Sequence, residues 1–160
     1  MRKTTILTVD GGGIKGIIPA CILSYIEEIM EQPCYQLFDI IGGTSTGGII
    51  TAALTSPVTG NRPMRAKEVE DIYRNHGSDI FVDQGLGYYY AKYYADHHDK
   101  GIEPFLRSKL QDTTLSQAAK NMERLGGRTR QVFTTSYTVD STGGKVDDPV
   151  QMYLNDIFTI

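Results

Sequence analysis

Ser45 stands in Gly43-Thr44-Ser45-Thr46-Gly47, which fits the pattern G-x-S-x-G. A serine hydroxyl in that setting could attack an ester carbonyl and carry the acyl group, provided that a base accepts its proton. The spacing has a physical reason. Small residues on both sides of the serine permit a strained elbow that lifts Oγ above a sheet edge, with the start of a helix behind it. The plainer alternative is a glycine-rich turn whose serine only caps the next helix. Nearer the N-terminus, Gly11-Gly12-Gly13-Ile14-Lys15-Gly16 fits G-x-G-x-x-G, the pattern of a dinucleotide loop. A nucleotide-binding or non-catalytic α/β module that uses Gly11–Gly16 for phosphate is therefore the alternative function. A dinucleotide site also wants an acidic residue at the end of the second strand, and here that strand ends in Gly42-Gly43-Thr44. The same backbone N–H groups can hold an oxyanion as readily as a phosphate, so one loop would supply the hole and the other the nucleophile.

Both motifs need a strand before them and a helix after them. Thr5-Ile6-Leu7-Thr8-Val9 is a short β-branched run that stops at Asp10-Gly11-Gly12-Gly13. From Ile14 to Met30 the residues Ile14, Ile17, Ile18, Cys21, Ile22, Tyr25, Ile26 and Ile29 recur at three- and four-residue spacing, predicting an amphipathic helix with Glu27, Glu28 and Glu31 on its other faces. Residues 37–43 read as a second buried strand, and 47–54 as a small-residue helix. The order β-α-β-α with glycine turns between strand and helix predicts an α/β fold: a parallel sheet flanked by helices, with ligands at the carboxyl ends of its strands. Further along, helices are predicted over 66–76, 102–110 and 115–122, and strands over 131–139 and 150–160. The stretch 85–99 has no clear periodicity.

Charge and composition exclude several classes. Sixteen Lys and Arg against nineteen Asp and Glu leave a net charge of -3, without the broad basic field that would collect nucleic acid. The uncharged stretch 40–61 is broken by Gly42, Gly43, Gly47, Gly48 and Pro57, so no transmembrane segment is predicted. The apolar run after Met1-Arg2-Lys3 is interrupted by Thr8 and Asp10 before a signal sequence could form. Cys21 and Cys34 are expected to be reduced thiols, and the cytoplasm is the expected compartment. No metal ligand set and no organic cofactor is expected. His97-His98-Asp99 is the one histidine cluster, read as solvated rather than catalytic, and His76 as a partner of a helix dipole. Tyr88, Tyr89, Tyr90, Tyr93 and Tyr94 read as packing residues, Lys15 as solvated, and Arg124, Arg128 and Arg130 as a surface loop.

The pairing of Asp10-Gly11-Gly12-Gly13-Ile14-Lys15-Gly16 with Gly43-Thr44-Ser45-Thr46-Gly47, across one helix and one strand, resembles the patatin-like phospholipase family. The resemblance implies a lipid acyl hydrolase with a Ser-Asp dyad in place of a triad. Ser45 would be the nucleophile, Gly11, Gly12 and Gly13 the oxyanion loop, and Gly16, Gly43 and Gly47 the supports of the two motifs. It implies a phospholipid or other acyl-lipid substrate, a transient visit to a membrane surface and no cofactor. The family's aspartate lies in a later D-G-G or D-G-A turn, whereas the sole Asp-Gly dipeptide here is Asp10-Gly11. Asp140, followed by Ser141-Thr142, is a poor substitute, and Asp147 and Asp148 read as a solvated loop. Residues 1–160 are thus expected to be the N-terminal portion of such a domain, inactive alone, with an apolar edge near Ile160 open to self-association.

Overall fold

The structure is a computed structural model that describes residues 3–57, 62–81, 106, 108–110 and 113–135. Three strands, β1 (Ile6–Val9), β2 (Ile40–Thr44) and β3 (Gln131–Thr135), form one parallel sheet in the order β1-β2-β3. Val9 lies opposite Gly43, and Gly43 opposite Thr134, so all three strands end at the same edge. The two glycine-bearing loops leave from that edge, as the β-α-β-α pattern predicts. Helix α3 (Thr46–Thr55) packs across all three strands on the face that carries Val9 and Ile41. The opposite face leaves Ile6, Thr8 and Phe133 exposed.

A turn of 3-10 helix (Gly13–Gly16) runs into α1 (Ile17–Met30), which therefore begins three residues later than the predicted helix from Ile14. This helix is apolar on nearly every side, and its buried stripe differs from the predicted one. Ala20, Leu23 and Glu27 are buried, whereas Ile18, Ile22, Tyr25, Ile29 and Met30 are exposed. Helix α1 packs against α4 (Ala66–Ile80), and Ala20 is part of the buried core. Glu27 is buried because its carboxylate has work to do at two chain starts. It accepts the N–H of Cys34 at 2.8 Å and of Ala66 at 3.0 Å, and pairs with Arg65 at 3.1 Å. Those bonds satisfy the leading N–H groups of α2 (Cys34–Leu37) and α4.

The α2 turn occupies the start of the predicted second strand, so pairing begins only at Ile40. Asp39, just before it, is buried and accepts from the Thr5 N–H at 2.8 Å, the Thr5 hydroxyl at 3.0 Å and the Arg128 Nε at 2.9 Å. Arg128 also donates to the Lys3 carbonyl at 3.0 Å, so it clasps the amino edge of the sheet instead of lying on a free surface loop. Helix α4 continues one turn past His76, since Gly77 lies under the Ile14 side chain and Ile80 enters the core. Helix α5 (Leu115–Arg124) starts at a reciprocal cap in which Thr114 and Gln117 each accept the other's N–H. Residue 106 and residues 108–110 are helical. The tyrosine-rich stretch, the His97-His98 pair, Asp99, Asp140, Asp147, Asp148, the end of the predicted strand beyond Thr135 and the run 150–160 lie outside the described residues.

Candidate active site

Ser45 is the single residue between β2 and α3, and its backbone sits at φ 54° and ψ -122°. Only one other non-glycine residue among those described, Glu31, has a positive φ. Such a conformation costs a side-chain-bearing residue on the order of 1–3 kcal/mol. Its carbonyl receives the Gly48 N–H at 2.8 Å and so opens α3, while its side chain makes no capping bond. The plainer reading of Ser45 as a helix cap is therefore not what the geometry has. The residue is exposed at the carboxyl edge of the sheet, and no described residue hydrogen-bonds its Oγ.

Close backbone approach explains the glycines at both ends of the motif. A Cβ at Gly47 would overlap the Val9 carbonyl oxygen and stand 2.7 Å from its carbon. One at Gly43 would overlap the Gly47 carbonyl and come within 2.9 Å of the Gly48 nitrogen. The first turn of α3 thus lies directly on the ends of β1 and β2. Beside it runs the Gly11–Gly13 loop. A Cβ at Gly11 would meet the Ser45 Cβ at 2.9 Å and the Thr44 carbonyl oxygen at 3.0 Å, so this loop and the elbow are in contact. Gly13 has φ 56°, a conformation suited to glycine, and the Phe81 ring lies 3.9 Å from where its Cβ would be. The N–H groups of Gly12 and Gly13 precede the first bond of the 3-10 turn, from Lys15 N–H to the Gly12 carbonyl at 3.1 Å. Among the described residues neither has a backbone partner. Sequence-adjacent amides left open beside an exposed serine can receive negative charge that develops on a carbonyl oxygen.

Below the elbow, Thr46 is buried and its hydroxyl is hydrogen-bonded to the Tyr73 hydroxyl of α4. Gly16 closes the same spot, where a Cβ would stand 2.7 Å from both oxygens. Tyr73 stacks on Phe81 with ring centroids 6.2 Å apart. Burial pushes the Tyr73 phenol up from its ordinary value, with the Thr46 bond acting the other way, so it is protonated at neutral pH and no base. Behind these rings is a small crevice lined by Ile49, Ala53, Ile72, Tyr73, Phe81 and Leu106. Tyr73 and Phe81 were not among the predicted site residues. Tyr73 reads as an ordinary member of the apolar face of α4, and its 27-residue separation from Thr46 leaves no local signal.

The two carboxylates closest to the motifs in sequence serve different ends. Asp39 sits at the amino edge of the sheet, away from Ser45, and the Arg128 guanidinium and the Thr5 N–H hold its carboxyl far below the usual range. Asp10 is exposed at the carboxyl edge. Lys15 is exposed, as expected. Cys34 is buried and Cys21 half-buried, both as free thiols. Among the described residues no group of three or more His, Cys, Asp or Glu could hold a metal ion, and no helix is long and apolar enough to cross a membrane.

The family model for patatin-like phospholipase matches residues 7–156. Three curated proteins of Solanum tuberosum align with 73% of the chain. Patatin-T5 is 41% identical over 125 residues, Patatin-16 is 40% identical over 125, and the protein named Probable inactive patatin-3-Kuras 1 is 40% identical over 125. The aligned part is 31% of the first two and 32% of the third, so the chain spans about a third of the length of these relatives.

Proposed function

The chain belongs to the patatin-like phospholipase family, and from that membership we propose that residues 1–160 are the N-terminal portion of a serine lipid acyl hydrolase domain. Ser45 is the nucleophile. Its Oγ forms a bond to the ester carbonyl carbon of a phospholipid or other acyl lipid while its proton passes to an aspartate, the second member of a Ser-Asp dyad. The carbonyl oxygen, now negative, is held by the N–H groups of the Gly11–Gly13 loop. Collapse of this intermediate breaks the ester C–O bond, and the aspartate returns the proton to the leaving alcohol. Water then resolves the acyl-Ser45 ester by the same steps. Gly43 and Gly47 hold the elbow to the strand ends, and Gly16 holds the loop to the elbow. Neither metal nor organic cofactor has a part in this sequence of steps. The substrate brings the protein to a membrane surface from the cytoplasm.

The observation that carries this reading is the Ser45 backbone. A strained conformation that costs about 1–3 kcal/mol is kept for a hydroxyl that caps nothing, is exposed, and stands against a glycine loop with open amides. The test is Ser45→Ala in a form extended to the length of the relatives. Ester turnover should fall by at least about a thousandfold, with the circular dichroism spectrum and melting temperature little changed, and a fluorophosphonate should label the parent at Ser45 alone. Turnover close to the parent's in the alanine variant would sink the assignment.

A further inference from the structure

We propose that Tyr73 is a positioning residue which, with Phe81, sets the distance between the serine elbow and the glycine loop. The inference rests on the roles just given to Ser45 and to the Gly12 and Gly13 amides.

Three separate segments meet at the Tyr73 hydroxyl. It bonds the hydroxyl of Thr46, the residue directly after Ser45, and lies within 3.5 Å of the Thr46 carbonyl oxygen. It also fills the space over Gly16, where the glycine loop turns into α1, with its Cζ 2.8 Å from a Cβ placed there. Just past the end of α4, the Phe81 ring lies 3.9 Å from where a Cβ on Gly13 would stand, at the start of the 3-10 turn that Gly16 ends. From α4 and the residue that follows it, the stacked pair therefore packs against Gly16 and the base of the elbow and lies near Gly13. All the groups involved are buried: Thr46 is 1% exposed, Tyr73 4% and Phe81 6%.

That arrangement matters because catalysis by an acyl-transfer serine depends on two distances being right together. The attacking Oγ must reach the carbonyl carbon while the oxyanion donors reach the oxygen on the same carbon, and a displacement near 1 Å can cost about a hundredfold in rate. In serine elbows the N–H of the residue after the nucleophile faces the oxyanion too. Here that residue is Thr46, so the bond to Tyr73 orients the elbow at the point where it would contribute a donor. Ser45 and Gly11 are in direct contact, but contact alone leaves the loop free to slide along the elbow. The hydroxyl pair under Thr46 and Gly16 removes that freedom.

The experiment compares Tyr73→Phe, Thr46→Val, their double variant and Thr46→Ser with the parent in the form extended to the length of the relatives. Rates are expressed per active site titrated with a fluorophosphonate, so loss of folded protein does not enter kcat. Tyr73→Phe and Thr46→Val should each lower kcat by about tenfold or more with KM little changed. The double variant should be no slower than the slower single one, and Thr46→Ser, which keeps the hydroxyl, should restore most of the rate. A Tyr73→Phe enzyme with the parent's kcat per titrated site overturns the proposal, whatever its melting temperature. So does strict additivity of the two single losses. If Ser45→Ala retains turnover, it is the nucleophile assignment that fails, and that outcome is separate from both.

Discussion

Gly47→Ala adds one methyl group at the contact that seats α3 on β1, and its effect can be worked from the geometry. The new Cβ would overlap the Val9 carbonyl oxygen and stand 2.7 Å from the carbonyl carbon. Ordinary carbon contacts begin near about 3.5 Å, so the start of α3 must retreat by roughly 0.8 Å or more. No flexible side chain can yield instead, because backbone faces backbone. Overpacking of side chains costs about 1–3 kcal/mol, and a backbone contact belongs at the top of that range, about 3 kcal/mol. With an m value of about 1–3 kcal/mol per molar urea, the unfolding midpoint should drop by roughly 1–3 M. The matched control is Gly12→Ala. Its nearest neighbour would be the Lys15 Cβ at 3.5 Å and its φ is 176°, so stability should stay within about 1 kcal/mol of the parent. Urea unfolding followed by circular dichroism measures both. The reasoning is refuted if Gly47→Ala unfolds within about 1 kcal/mol of the parent, or if Gly12→Ala is equally costly.

Glu27→Ala should destabilise by about 3 kcal/mol, because it strands the buried N–H groups of Cys34 and Ala66. Glu27→Gln should recover part of this in the same urea assay, and equal stability of the alanine variant would count against the bonds described. Asp39 supplies a pH dependence. Its folded pKa lies below the unfolded value of about 3.9, so its stabilisation is complete above that pH and is lost as pH falls toward the folded value. Asp39→Asn should lower stability at neutral pH and flatten the decline below about pH 4 in a series of thermal melts, and an unaltered acid slope would contradict the clasp with Arg128 and Thr5. Burial, then the nearby Glu27 carboxylate, push the Cys34 thiol far up, so mass spectrometry after iodoacetamide treatment of the native protein should find Cys34 unmodified; rapid modification would mean that it is not buried.

What the sequence alone determined was the local frame of the site. Glycines and β-branched runs mark strand ends and turn starts through short-range backbone sterics, so β1, the glycine loop, the serine elbow, α3 and α5 were readable to within a few residues. The parallel sheet followed from their order. Family membership, suggested by the joint motif, agrees with the match over residues 7–156. Tertiary structure decided the rest. Helix α1 is apolar almost all round, so periodicity could not say that Ala20, Leu23 and Glu27 face inward while Ile18, Ile22 and Tyr25 face out; only the position of α4 chooses. Gly77 looks like a helix end until Ile14 is seen to lie across it. Arg128 resembles a loop arginine until the fold brings it to Asp39, 89 positions away. Tyr73 looks like core until its hydroxyl is found against Thr46. In each case the deciding partner is remote in sequence, and a hydrogen bond or a close contact between distant segments leaves no mark on the spacing of the residues that make it.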